Sequence, residues 1–265
     1  MASKCNFCTI RKTTIFADLK EVDLNRIEKL ITEKRFPKKH IIFWEDDPVK
    51  NIYLIKRGNV KLYKTQSDGR SQILNIYGTG GILGFDSLFG NKYLATGETI
   101  AESVLCQIKA SDFRELLEKE PVINLQLLKA VSRELEKNEN LLFTLGTRTA
   151  KERLSYFLFN LYNSQCDCEE NPKKINLLIS RQEISEHLGM KQETVIRNLS
   201  KLKDEKIIDI KGKEIIIVNP AVLEERADAV LVLVQDNEVN NEDCDDDPFE
   251  HEEDLQDTHW QVIDG

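Results

Sequence analysis

One run near the end of the chain, ISRQEISEHLGMKQETVIRNLSKLKDEKIIDIKGKEIIIV (Ile179–Val218), constrains the fold more than any other. Ser180 is a good helix N-cap and Glu183 follows three residues later, the spacing of a capping box. Ile184 and Leu188 share a helix face, and Gly189 then breaks the helix and allows a tight turn. A second helix is predicted from Lys191 or Gln192 to Glu205, with Val195, Leu199 and Leu202 turned inward. Behind it the hairpin Ile207–Ile210, Lys211-Gly212-Lys213, Ile215–Val218 reads as a β-wing. Two short helices joined by a glycine turn are a helix-turn-helix, and the wing makes the pattern far more specific.

In such a motif the N-terminal part of the second helix enters the DNA major groove. Gln192, Glu193, Ile196 and Arg197 share the face that would meet base edges. Arg197 can pair bidentately with guanine, and Glu193 can accept from a cytosine amine. At i, i+4 the same two residues could also be a plain surface ion pair; the surrounding motif favours base reading. Lys191, Lys201, Lys203, Lys211 and Lys213 suit phosphate contacts, which position the protein without specifying sequence.

The net charge of −9 seems to oppose this reading, but it is unevenly spread. Residues 227–265 hold 14 of the 46 acidic residues and none of the 37 basic ones, which leaves 1–226 at +5. The tail lacks periodicity and reads as disordered. Its roles range from simple solubilisation, through competition with DNA for the basic wing, to metal binding by its carboxylates with His251 and His259.

Upstream, from about Lys34 to Ile108, short β-rich runs alternate with turn signals. The runs are Ile41–Trp44, Asn51–Ile55, Val60–Tyr63, Ile73–Ile76 and Val104–Ile108. Asp68-Gly69 marks a hairpin, and regular strand spacing without long helices indicates a small barrel or sandwich. A short helix is predicted from Ser111 to Glu118, a long one opening at Pro121, and another from Lys151 to Asn163. Along the long helix Leu128, Val131, Leu135, Asn138, Leu142 and Leu145 alternate steps of three and four, a heptad seam. The seam can be the packed face of an amphipathic helix or a two-stranded dimer interface; Asn138, a polar residue able to fix register, favours the dimer.

Several function classes are disfavoured. The sequence has no apolar run long enough for a transmembrane helix. Its N-terminus, MASKCNFCTIRKTT, is charged where a signal peptide is apolar, so a cytoplasmic location is expected. G-x-x-x-x-G-K-[ST], G-x-S-x-G and H-E-x-x-H motifs are absent, and an enzyme is not expected.

A Gly-punctuated β-domain, a seam helix and a winged helix-turn-helix, in that order, resemble the CRP/FNR family of transcription regulators over about Cys5–Leu223. The resemblance rests on Gln192-Glu193-Thr194-Val195-Ile196-Arg197, on Ala150-Lys151-Glu152-Arg153-Leu154, and on two segments similar to the fumarate and nitrate reduction (FNR) subgroup. These are Gly81-Ile82-Leu83-Gly84-Phe85-Asp86 and Glu102-Ser103-Val104-Leu105-Cys106-Gln107-Ile108. It implies an α+β fold: an N-terminal β-roll of the cyclic-nucleotide-binding jelly-roll type, a dimerisation helix and a C-terminal winged helix-turn-helix. The expected divisions are an N-terminal cysteine segment (1–20), the sensor roll (21–120), the dimerisation helix (121–147), the DNA-binding domain (148–226) and the acidic tail (227–265). Implied partners are a second copy of the chain, double-stranded DNA with a palindromic operator, and RNA polymerase, with no membrane. Cyclic AMP is not expected, because the loop Leu88–Thr96 lacks the family's phosphate-binding Arg; Lys92 is its only basic residue.

The resemblance also gives the cysteines a meaning. In the FNR subgroup an N-terminal C-x2-C-x5-C and one β-domain Cys hold an oxygen-labile 4Fe–4S cluster, through four thiolates. Cys5 and Cys8 match the first two and Cys106 the β-domain ligand, but Thr14 stands at the third position. An iron–sulfur cluster with an unknown fourth ligand, Asp18 among those considered, is one reading. A thiol–disulfide switch and a regulator without a metal cofactor are the others. Cys166-x-Cys168 reads as part of a solvated loop. Ile196 departs from the Ser common in FNR-type readers, and Ile can only pack or touch a thymine methyl.

Overall fold

The computed structural model describes residues 8, 14–17, 19–165, 174–177, 179–212 and 214–227. The acidic tail beyond Ala227, Cys5, Asp18, the Cys166-x-Cys168 loop and Lys213 lie outside the described residues.

A short helix α1 (Glu21–Glu28) precedes eight strands: β1 (Thr32–Phe36), β2 (Ile41–Phe43), β3 (Asn51–Arg57), β4 (Val60–Thr65), β5 (Ser71–Tyr77), β6 (Ile82–Leu83), β7 (Thr96–Thr99) and β8 (Ser103–Lys109). They form two four-stranded antiparallel sheets, ordered β1-β8-β3-β6 and β2-β7-β4-β5. Strand β3 explains how the roll acquires two apolar layers. Its run Ile52-Tyr53-Leu54-Ile55 is buried throughout, because alternate side chains face opposite sides. Tyr53 and Ile55 join Phe43, Val60, Leu62, Leu83 and Leu105 in one cluster. Ile52 and Leu54 join Ile82 and Ile108 in the other, under α1 and α2 (Ala110–Lys119) through Leu24, Ile27, Phe113 and Leu116.

The turns are where the glycines predict them. Gly58 joins β3 to β4 at φ +100, and an added Cβ would lie 2.2 Å from Ser103 Oγ, so both backbone conformation and space demand glycine there. Gly69 closes the β4–β5 hairpin at φ +85, with Gln66 N–H donating to Arg70 C=O at 2.8 Å.

Helix α3 (Pro121–Thr147) has 27 residues and a length of about 40 Å. Only Ile123 and Thr144 on it are buried. One face lies on the roll: Leu127 and Ala130 pack on the α1/α2 cluster, and the Glu134 carboxylate accepts from Asn75 Nδ2 at 2.7 Å. Asn75 Nδ2 also lies 3.2 Å from Tyr77 Oη. Burial pushes the Tyr77 hydroxyl pKa up, and the nearby Glu134 carboxylate adds to the rise. The opposite face carries Leu125, Leu128, Val131, Leu135 and Leu142, all exposed, with Leu128 at 65% and Leu142 at 71%.

After α3 come α4 (Ala150–Gln165), β9 (Lys174–Asn176), α5 (Arg181–Leu188), α6 (Gln192–Asp204), β10 (Ile208–Lys211), β11 (Glu214–Ile217) and α7 (Pro220–Arg226). The wing hairpin is extended by β9, giving a three-stranded sheet ordered β10-β11-β9. Every expected helix is present, with ends shifted by one or two residues. Strands β1, β6, β7 and β9 and helices α1 and α7 are additions to the expected elements. Among the described residues no helix is long and apolar enough to cross a membrane.

Candidate nucleic-acid interface and sensor site

The head domain is built on the capping box read from the sequence. Glu183 N–H donates to Ser180 Oγ at 3.2 Å, and Ser180 N–H donates to Glu183 Oε2 at 2.8 Å. Gly189 ends α5 in the left-handed region at φ 59. Ile184, Leu188, Val195, Leu199 and Leu202 are all 2% exposed or less. Each such burial stabilises the pair of helices by about 1.5–3 kcal/mol.

That packing leaves one face of α6 outward. Gln192, Glu193, Ile196 and Arg197 are exposed, while Val195 and Asn198 between them are buried. Among the described residues no ion pair joins Glu193 to Arg197, so both heads are available to a ligand. Lys191, Lys201 and Lys211 are exposed around this face. Lys203, also predicted for phosphate contact, lies 3.3 Å from Asp209 of the wing in a solvent-exposed pair. At the far end of α6, Glu205 pairs with Lys151 of α4 at 2.9 Å and with Arg226 of α7.

Arg153 belongs to the segment Ala150–Leu154 that carries part of the resemblance, and its contacts give it a specific task, at the hinge between α3 and α4. Its guanidinium donates to three backbone carbonyls: Leu145 near the end of α3 (2.5 Å), Arg148 in the hinge (3.0 Å) and Leu188 at the end of α5 (3.2 Å). One planar fork thus ties the seam helix to the turn of the helix-turn-helix. Leu145, the last residue of the predicted heptad stripe, lies at this junction. It is half-buried, and its Cδ2 would lie 3.7 Å from a Cβ at Gly189. The other five seam positions, Leu128, Val131, Leu135, Asn138 and Leu142, are exposed.

Two of the cysteines predicted to sense come near one another. Cys106 lies on β8 between Glu33 of β1 and Leu54 of β3 in the strand register. Cys8 and Cys106 are both half-buried, and both pack on the α1/α2 cluster although they are remote in sequence. Lys56 marks their neighbourhood. Its ammonium lies 2.5 Å from Glu33, which is the main cause of its raised pKa, and thiolates at Cys8 and Cys106 add to the rise. Thr14, at the position of the missing third cysteine, is buried, and its Oγ1 accepts from Phe16 N–H at 3.3 Å. Among the described residues no group of three or more His, Cys, Asp or Glu is arranged to hold a metal ion. Among the described residues, Cys8 and Cys106 thus offer two thiols on the same apolar cluster, fewer than the four thiolates that a 4Fe–4S cluster takes.

The loop Leu88–Thr96 borders a shallow surface pocket that carries both signs of charge. There Lys92 pairs with Asp46 at 3.4 Å and Lys64 with Glu45 at 3.0 Å.

Comparison with known proteins follows the same division. Residues 33–120 match the cyclic nucleotide-binding domain model, and residues 152–226 match the Crp-like helix-turn-helix domain model. The chain is 29% identical over 227 residues to a fumarate and nitrate reduction regulatory protein of Vibrio cholerae, covering 85% of this chain and 91% of that one. It is 28% identical over 219 residues to electron transport regulator A of Shewanella oneidensis, covering 82% and 88%. The structure of FixK2 from Bradyrhizobium japonicum superposes with a TM-score of 0.68 at 28% identity, over 74% of this chain and 96% of that one.

Proposed function

Because the chain belongs to the CRP/FNR family of transcription regulators, we propose that it is a cytoplasmic, oxygen- or redox-responsive member that senses through Cys5, Cys8 and Cys106. The family supplies the frame: a dimeric regulator rather than an enzyme, which binds double-stranded DNA and contacts RNA polymerase. Reading is assigned to Glu193 and Arg197 for base edges, with Gln192 and Ile196 beside them and Lys191, Lys201, Lys211 and Lys213 for phosphates. The exposed stripe Leu128, Val131, Leu135, Asn138, Leu142, continued by Leu145, is assigned to the dimer seam.

The observation that carries the sensing assignment is the convergence of Cys8 and Cys106 on one apolar cluster beside Lys56. Cys5, Cys8 and Cys106 would hold an iron–sulfur cluster, which when bound supplies a redox- and oxygen-sensitive centre. The chain's own part is to connect that centre to the reading heads. Cys106 sits on β8, next to β3, and the apolar cluster it touches reaches Leu127 and Ala130 of α3. A change at the thiols thus bears directly on the helix that sets the separation of the two heads.

Protein purified without oxygen should contain iron and acid-labile sulfide, with a visible absorption band that bleaches in air. Cys106→Ser should remove most of the iron. A colourless protein with one oxidant-dependent disulfide would replace the cluster by a thiol switch. A colourless protein without one would remove the cysteines from sensing.

A further inference from the structure

Apart from the Arg153 junction with α3, the head is fastened to the roll itself. Lys61 projects from β4 and is only 11% exposed along its side chain. Its ammonium donates to Glu183 Oε1 at 2.8 Å and lies 3.5 Å from Glu98 Oε2 on β7. The other oxygen of Glu183 accepts from Ser180 N–H at 2.8 Å. One carboxylate therefore caps the first helix of the reading motif and ties that helix to the roll. Beside it, Gln72 Nε2 donates to His187 C=O at 3.1 Å, and His187 Nδ1 lies 3.2 Å from the Ile73 carbonyl it donates to.

Burial alone would lower the Lys61 pKa and raise that of Glu183. Their pairing outweighs burial: Lys61 is raised and Glu183 lowered, so both stay ionised. A buried pair of this kind is costly to break, since removing one partner strands the other's charge. Removing Lys61 would do so twice, leaving Glu98 and Glu183 without the cation between them.

We propose that Lys61 and Glu183 are positioning residues for operator reading, which fix the head against the roll so that both heads of a dimer meet both half-sites together. The inference rests on the DNA-reading function above. Two linked modules gain affinity from one another only when their geometry allows simultaneous engagement. The Arg153 fork holds the head at the Arg148–Thr149 link, and a contact on the roll, remote from that link, resists turning about it.

The test compares full-length wild type with Lys61→Met and Glu183→Gln on two duplexes, a palindrome selected for this protein and a single half-site, at fixed salt. Lys61→Met should weaken palindrome binding at least about fivefold, a typical coupling between sites, and leave half-site binding unchanged. Glu183→Gln, which keeps an acceptor for the Ser180 cap, should weaken palindrome binding similarly. The double variant should lose no more than the worse single one, because both remove the same interaction. Unchanged or tighter palindrome binding by Lys61→Met would overturn the proposal. If that variant loses half-site binding as well, Lys61→Arg decides: recovery of palindrome affinity supports the ion pair, and continued loss rejects it. A wild-type chain that binds neither duplex would overturn the DNA-reading function itself, an outcome distinct from all of these.

Discussion

Arg197→Ala should abolish selective operator binding. A bidentate arginine–guanine pair is worth about 1–3 kcal/mol of discrimination. A two-fold operator contains it twice, so the loss is about 2–6 kcal/mol per dimer, roughly thirtyfold to more than ten-thousandfold in affinity. The side chain is exposed on α6 and no ion pair to Glu193 competes for it, so the substitution should leave the fold intact. Lys191, Lys201 and Lys211 remain, and binding to unrelated DNA should persist with nearly the same salt dependence. A mobility-shift titration on specific and unrelated duplexes, repeated at several salt concentrations, separates the two effects. Near-normal affinity and selectivity in the variant would remove Arg197 from base reading.

Leu135→Glu should convert the dimer to monomer. Leu135 lies in the exposed stripe of α3 and is 59% exposed in the single chain. Covering a leucine is worth about 1.5–3 kcal/mol, and a symmetric seam contains two copies. The variant loses that burial and sets two carboxylates against each other in an apolar contact. The dimer dissociation constant should rise at least about a hundredfold, from about 3 kcal/mol or more. Sedimentation equilibrium reads this directly, and operator binding should fall with it. A variant that stays dimeric would reassign the stripe to another partner. Asn138, exposed in the same stripe, should tolerate Ala far better than Asp, since only the charge would repel its symmetry mate.

The reading head was legible because local rules specify it. The Ser180–Glu183 box, the left-handed Gly189 and the buried set Val195, Leu199 and Leu202 are all signals within a few residues. The exposed apolar stripe of α3 was legible from periodicity, except that Leu145 is partly covered by the turn at Gly189. Strand β7 was hidden because Thr96-Gly97-Glu98-Thr99 has no apolar run. Gly97 is there to leave room for the Phe43 ring, 2.7 Å from where a Cβ would be. Strand β1, Thr32–Phe36, is mostly exposed at the sheet edge and so shows no apolar alternation. The second partner of Glu183 was invisible for a different reason. Lys61 looks like a solvent-facing strand residue until the head docks over it, and contacts between distant segments leave no local pattern. The same holds for Arg153, whose three acceptors come from three different elements.

The most direct test of the whole account is operator affinity measured on one oxygen-free preparation before and after exposure to air. If the Cys5, Cys8 and Cys106 region governs the reading heads, affinity for the palindrome should change severalfold on oxidation, in step with bleaching of the visible band. The response should vanish in Cys106→Ser, while half-site binding stays constant throughout. Operator affinity that is identical before and after oxidation, in a protein that demonstrably lost a cluster or gained a disulfide, would contradict it.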